Sequence, residues 1–94
     1  SGNRVNLDEI EVVLASRLGV AVACAGEDER LVVALTAEGS PTDGDIRGLV
    51  RELFDIYAGA VHVRRVARFP QLDNGKVDYA AIDSPPVEAG GSDR

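Results

Sequence analysis

The feature that most constrains the fold is the continuous apolar run LVVALTA, residues 31–37. It has the length of a β-strand and is far shorter than the ~20 residues of a membrane-spanning helix. The preceding segment, VAVACA at 20–25, consists of small residues that can form a strand, and the polar sequence GEDER separates the two segments. Together they predict a β-hairpin with a short loop.

Helical and strand patterns flank this hairpin. Apolar residues recur at helical spacing over residues 7–18 and again over about 42–55, and Gly19 suits the end of the first helix. The segment VHVRRVARF, 61–69, predicts a third strand, and VDYAAI, 77–82, predicts a short last helix. The order α-β-β-α-β-α predicts the α+β class, with a small three-stranded sheet flanked by helices.

Length, charge and composition limit the possible functions. A chain of 94 residues forms one domain, which buries about 60–65% of its extended surface and has no deep cleft of its own. The net charge of −6 argues against non-specific binding to nucleic acid or to anionic membranes. One cysteine and a polar start without a signal peptide predict a cytoplasmic protein. Residues 84–94 have the composition of a disordered tail, so the domain is expected to cover residues 1–83.

The chain contains a single lysine, Lys76, and its nine other basic residues are all arginine. Lys76 follows Asn74 and Gly75, a pair that tolerates positive φ and is typical of a tight turn. A lysine in a turn is usually just a solvated charge. The alternative is a compact, mobile ammonium group that is delivered to an anion such as a phosphate, and the spacing alone leaves both interpretations open.

Two segments resemble the motifs that open and close the C-terminal subdomain of adenylate-forming enzymes. GNRVNLDEIE, residues 2–11, resembles Gly-x-Arg-(Ile/Val)-x-Leu-x-Glu-Ile-Glu. FPQLDNGKVDYAAI, residues 69–82, resembles Leu-Pro-x-Thr-x-(Asn/Ser)-Gly-Lys-Val-Asp-Arg-x-x-Leu. The family includes acyl-CoA synthetases, the adenylation domains of nonribosomal peptide synthetases and the luciferases. The two motifs occur in the family's order and at a similar separation, so the resemblance covers about residues 2–82.

The resemblance implies the mobile lid of an ATP-dependent carboxylate ligase. In this family a carboxylate attacks the α-phosphorus of ATP to give an acyl-adenylate and pyrophosphate, and a thiol of CoA or of a carrier protein's phosphopantetheine then displaces AMP. The lysine that matches Lys76 reaches the carboxylate and the α-phosphate in the first step, where a cation relieves the crowding of negative charge. Lys76 is therefore the expected catalytic residue, in a turn shaped by Asn74 and Gly75.

The resemblance also implies a thiol-tunnel loop at Gly2, Asn3 and Arg4. In the orientation for thioester formation this loop lies beside the path of the pantetheine arm, where a glycine suits close approach. Arg4 would contact a phosphate there. A surface salt bridge from Arg4 to Glu9 or Glu11 is an equally good interpretation.

The expected cofactors and partners lie largely outside this chain. ATP and Mg²⁺ would be bound mainly by an N-terminal subdomain, which is the expected partner together with a carrier protein. Because that large subdomain is missing, the chain is expected to be inactive alone. Departures from the family's pattern, such as Ala60 for proline, Leu72 for threonine and Tyr79 for arginine, leave the lysine in place. The alternative is a stand-alone, non-catalytic protein-interaction module with the same fold.

The other polar candidates have structural interpretations. Cys24 lies in a predicted strand and is expected to be a small core residue rather than a nucleophile. His62 is the only histidine, lies on the opposite side of the third strand from Val61 and Val63, and is not expected to bind a metal. Arg64, Arg65 and Arg68 form a local basic group, interpreted as a solvated strand edge. The alternative is a docking patch for CoA phosphates or an acidic carrier protein.

Overall fold

A computed structural model of the chain describes residues 6–27 and 29–83. Its centre is a three-stranded sheet in the order β1-β2-β3. Strand β2, Arg30–Leu35, carries most of the apolar run and lies between the antiparallel strand β1, Val22–Glu27, and the parallel strand β3, Val61–Arg65. The predicted α+β class and the predicted three-stranded sheet flanked by helices are both confirmed.

The predicted hairpin forms with slightly shifted bounds. Strand β1 begins at Val22 rather than residue 20, and β2 ends at Leu35 rather than residue 37. The register reaches Glu27 opposite Arg30, so part of the polar sequence GEDER is itself paired. Gly26 has a φ of 97°, and a Cβ placed there would lie 2.1 Å from the carbonyl oxygen of Arg30. A glycine is therefore required at this end of the hairpin.

Two capped helices cover one face of the sheet. Helix α1, Leu7–Leu18, matches its prediction and ends at Gly19, whose φ is 72°. Helix α2, Asp43–Phe54, is preceded by Thr42, which forms a reciprocal capping box with Asp45. Such caps satisfy N–H groups that have no partner inside the helix.

The larger core lies between these helices and the sheet. Apolar side chains from α1, α2, all three strands and the segment before β3 meet there, and most of them are fully buried. They are Ile10, Leu14, Val22, Cys24, Leu31, Val33, Leu35, Ile46, Val50, Ile56 and Val61. Aliphatic residues dominate, as expected for a chain with 4% aromatic residues.

A smaller core covers the other face of the sheet. Here the strands present small side chains, Ala23, Ala25, Val32 and Ala34. Ile82 of the short helix α3, Tyr79–Asp83, packs on them together with Phe69 and Val77. Strand β2 is thus buried on both faces, which is why its sequence is apolar without alternation.

The third strand and the last helix are shorter than predicted. Strand β3 ends at Arg65 instead of residue 69, after which only the N–H of Val66 continues the ladder by donating to the carbonyl of Leu35 at 3.0 Å. The chain then leaves the sheet so that Phe69 packs on the smaller core. Helix α3 begins at Tyr79 because Val77 is engaged in a β-bridge with Gln71.

Two sequence-based expectations concern residues outside this description. The predicted tail, 84–94, and the loop at residues 2–4 lie outside the described residues. Across residues 6–27 and 29–83, no helix combines the length and the hydrophobicity needed to span a bilayer.

Burial of β2 predicts how two leucines differ in their contribution to stability. Leu35 is fully buried, whereas Leu72 is 47% exposed. Truncating Leu35 to alanine leaves a cavity, so Leu35→Ala is expected to lower the free energy of unfolding by about 2–5 kcal/mol. Leu72→Ala is the matched control and should lower it by less than about 1 kcal/mol. Urea denaturation of the chain measures both, and equal losses would contradict the assigned core.

Candidate functional site

Lys76 lies on a hairpin turn that projects from the smaller core. Residues 71–76 are all exposed. The N–H of Leu72 donates to the carbonyl of Lys76 at 2.7 Å, and the N–H of Gly75 donates back to the carbonyl of Leu72 at 2.9 Å. The bridge between Gln71 and Val77 closes the base of this turn. The backbone of the turn is therefore ordered by its own hydrogen bonds while its tip faces solvent.

Asn74 and Gly75 shape the tip in different ways. The Asn74 Oδ1 accepts a hydrogen bond from the N–H of Lys76 at 2.9 Å, which is an Asx turn. Gly75 has a φ of 87°, a conformation that side chains rarely adopt. A Cβ at Gly75 would meet no described atom within 4 Å, so the glycine serves the backbone conformation rather than packing inside this chain.

The strand ends of the turn are fixed to the smaller core. The N–H of Asp78 donates to the carbonyl of Pro70 at 2.8 Å, one step below the bridge. The Asp78 carboxylate then accepts from the N–H of Ala81 at 3.1 Å and caps α3. Phe69 before the turn and Val77 after it pack against the same buried cluster. Lys76 is thus an exposed side chain on a supported backbone.

Helix α3 is also held at its C-terminal end by arginines from the sheet. Arg64 of β3 donates through Nη1 to the carbonyls of Ala81 at 2.9 Å and Ile82 at 2.8 Å. Arg30 of β2 forms an ion pair with Asp83 and also donates to the Asp83 carbonyl at 3.0 Å. Cations at this end of a helix also complement its dipole.

Glu11 connects the first motif to the second. Its Oε2 accepts a hydrogen bond from the N–H of Cys24, at the outer edge of β1, at 2.9 Å. Burial, a hydrogen bond to Glu11 and the charges of Glu11, Asp8 and Cys24 together raise the pKa of Tyr79 to about 12. The carboxylate therefore links α1, β1 and α3. No local sequence pattern predicts this contact, because Glu11 and Tyr79 are far apart along the chain.

The described residues leave the predicted thiol-tunnel loop untested. Gly2, Asn3 and Arg4 lie outside them, so neither interpretation of Arg4 is decided. The chain enters α1 directly after this loop, at the helix cap Asn6, whose side chain accepts from the N–H of Glu9 at 3.1 Å.

Cys24 is a core residue, as predicted. It is fully buried in the larger core. Burial, and secondarily the charge of Glu11, raises the pKa of its thiol to about 12. His62 is exposed and lies on the side of β3 away from Val61. Within residues 6–27 and 29–83, no three His, Cys, Asp or Glu side chains lie close enough together to hold a metal ion.

The interpretation of Arg64 and Arg65 as one solvated basic edge is wrong. Successive residues of a strand point to opposite faces, and the two side chains are partly buried on opposite sides of β3. Arg64 reaches α3, whereas Arg65 donates to the carbonyls of Ala37 and Pro41 at 2.8 and 2.6 Å and pairs with Asp43 at 2.9 Å. Only Arg68 is exposed, beside the groove at the base of the Lys76 turn.

Comparison with known proteins shows that the chain is similar to a small part of two peptide synthetases. It is 28% identical over 81 residues to the nonribosomal peptide synthetase CmlP of Streptomyces venezuelae, covering 86% of this chain and 8% of that protein. It is 34% identical over 94 residues to surfactin synthase subunit 1 of Bacillus subtilis, covering 95% of this chain and 3% of the relative. The chain thus spans less than a tenth of either relative.

The fold is also similar to part of a solved synthetase structure. The fold resembles the amide bond synthetase McbA of Marinactinospora thermotolerans with a TM-score of 0.60 and 26% sequence identity, over 84% of this chain and 18% of McbA. No protein-family model matches the chain. The fold, the two motifs and these relatives confirm the resemblance to adenylate-forming enzymes. Within that class, the small α+β unit corresponds to the C-terminal subdomain.

The buried thiol predicts a loss of stability at alkaline pH. In the unfolded chain the Cys24 thiol ionises near its ordinary pKa of 9.0, but in the folded chain its pKa is raised to about 12. Above pH 9 the unfolded state therefore binds fewer protons than the folded state, so the free energy of unfolding falls as pH rises from 9 toward 12.

Measurement of unfolding free energies between pH 8 and 11 checks this sign. Each pH unit in the affected window is expected to remove up to about 1.4 kcal/mol through this thiol. The Cys24→Ala variant lacks the thiol and should show a shallower fall, the remainder including the contribution of Tyr79. Identical slopes for the two proteins would contradict the assignment of a buried, neutral thiol.

Proposed function

We propose that this chain is the mobile C-terminal subdomain of an ATP-dependent carboxylate ligase, in which Lys76 stabilises the transition state of adenylation. The observation that carries the proposal is the position of the only lysine, directly after the tip of an exposed turn whose backbone is tied to the smaller core. The relationship to synthetases of the adenylate-forming type supports it.

The chemistry of adenylation explains why a lysine suits this position. The attacking carboxylate and the α-phosphate of ATP are both anionic, so negative charge accumulates as they approach. An ammonium group offers a compact charge and three donors on a flexible stem, and it can meet both groups at once. Preorganised charge of this kind acts without reorganising solvent at the moment of reaction. The ordered turn supplies this preorganisation, because only the Lys76 side chain itself needs to be positioned.

The second half-reaction is proposed to use another part of the chain. Gly2, Asn3 and Arg4 would lie beside the path of the acceptor, immediately before helix α1. The acceptor is proposed to be the thiol of CoA or of a carrier protein's phosphopantetheine. Since the solved relative is named an amide bond synthetase, an amine belongs in the panel of acceptors that is tested.

ATP and Mg²⁺ are proposed to be bound mainly by a large N-terminal subdomain, which is also the principal partner. The described residues supply an exposed ammonium group for the nucleotide's phosphates but no cluster of metal ligands. This chain's own part is therefore to deliver Lys76 over a nucleotide that is held elsewhere. A carrier protein is the second proposed partner.

Separate assay of the two half-reactions tests the role of Lys76 in the complete enzyme. Lys76→Ala is expected to lower adenylation, measured by pyrophosphate exchange, by roughly a hundredfold or more, by analogy with the loss of an oxyanion donor. Transfer from pre-made acyl-adenylate to the acceptor should be retained. Arg68→Ala, which removes a neighbouring exposed cation outside the turn, is the control and should leave adenylation near its original rate.

Two outcomes would overturn this proposal. If Lys76→Ala lowers both half-reactions equally, the lysine supports the structure rather than one step of the reaction. If the pure 94-residue chain alone catalyses pyrophosphate exchange, the proposal that a separate N-terminal subdomain binds the nucleotide is wrong. A complete protein that lacks adenylation altogether would favour the alternative, a non-catalytic interaction module with this fold.

A further inference from the structure

The position of the Lys76 turn depends on a helix that is too short to be stable alone. Helix α3 has five residues, and isolated helices of that length do not form in water. It follows the turn after only Val77 and Asp78, and its Ile82 is the buried contact with the sheet. Any group that fixes α3 on the sheet therefore also fixes the short segment that follows Lys76.

Arg64 is placed to fix both sides of the turn. It pairs with Ala34 in the sheet, on the face that α3 covers. Its guanidinium donates to the carbonyls of Ala81 and Ile82, near the C-terminal end of the helix. Its side chain also lines the groove beside Phe69 and Pro70, which lead into the turn. The arginine thus lies between the segment before Lys76 and the helix after it.

We propose that Arg64 is a positioning residue for adenylation: by holding the end of α3 on the sheet, it sets where the turn presents Lys76. This inference rests on the proposed function of Lys76. The Nη1 group of Arg64 donates to two backbone carbonyls within the subdomain, so the role proposed for Arg64 is to hold the helix rather than to contact substrate. Hydrogen bonds from a charged donor to backbone carbonyls are among the stronger ones, so their removal weakens the attachment of this helix to the sheet.

The neighbouring residue Arg65 is a natural control. It lies in the same strand, is also partly buried and also donates to two backbone carbonyls, those of Ala37 and Pro41. These partners are on the loop that leads into α2, on the opposite face from α3. Loss of the Arg65 contacts should weaken the fold without changing the position of Lys76 selectively.

The experiment compares Arg64→Met and Arg65→Met in the complete enzyme, since methionine keeps an unbranched apolar stem and removes the donors. Pyrophosphate exchange reports adenylation, and acyl transfer from pre-made acyl-adenylate to the thiol reports the second step. Arg64→Met is expected to lower adenylation by about tenfold or more, with acyl transfer within about twofold of the original rate. For Arg65→Met the ratio of the two rates should not change.

Unchanged adenylation in Arg64→Met, or an equal fall in both steps, would overturn the inference.

A double variant separates positioning from a general loss of stability. If Arg64 acts through Lys76, then adding Arg64→Met to Lys76→Ala should lower adenylation by less than about twofold further. A further fall equal to that of Arg64→Met alone would overturn the inference. If circular dichroism shows that Arg64→Met does not fold, Arg64→Lys takes its place, and the same selective fall in adenylation, smaller in size, is expected. Equal losses in both steps for Arg64→Lys would then overturn it.

The single variant Lys76→Ala distinguishes failure of the inference from failure of the proposed function. If Lys76→Ala leaves adenylation intact, the proposed function itself fails. If Lys76→Ala abolishes adenylation selectively while Arg64→Met does not lower it, the function stands and only the positioning role of Arg64 is lost.

Discussion

Burial of β2 on both faces is the constraint on which the rest of this structure depends. A strand in that position has to be apolar throughout, and it needs a layer of packing on each side. Helices α1 and α2 provide one layer with large aliphatic side chains. The other layer is thin, because the sheet presents mostly alanine on that face and only α3 and two further apolar residues cover it. The proposed catalytic turn projects from this thin layer, because Phe69 and Val77 on either side of it pack there.

Attachment to the smaller core explains how the turn can have an exposed tip and still have an ordered backbone. Phe69, Val77 and Ile82 bury the segments on either side of it, and backbone hydrogen bonds close its base. The tip needs no packing of its own, since Asn74 and the positive φ of Gly75 set its shape. The proposed role, in which Lys76 reaches a nucleotide that another subdomain binds, requires this combination of an internally fixed backbone and a cation that extends into solvent.

The sequence predicted those parts of the structure that depend on local patterns. Helix α1, the hairpin and the Asn-Gly turn follow from periodicity, an apolar run and turn chemistry. The ends of β3 and α3 were not predicted, because they are set where Phe69 and Val77 meet the far side of the sheet. Strand alternation could have shown that Arg64 and Arg65 face opposite ways. Nothing local could have shown that Glu11 would connect α1 to Tyr79, since that contact exists only in the assembled fold.

The central claim is that Lys76 meets the nucleotide, and labelling of its amine tests this most directly. Lys76 is the only lysine in these 94 residues, so one peptide reports its reactivity with an acylating reagent. In the complete enzyme, we predict that α,β-methylene-ATP with Mg²⁺ protects Lys76, while remote lysines of the large subdomain keep their labelling rates. Unchanged labelling of Lys76, with the analogue shown to be bound by equilibrium dialysis, would contradict it.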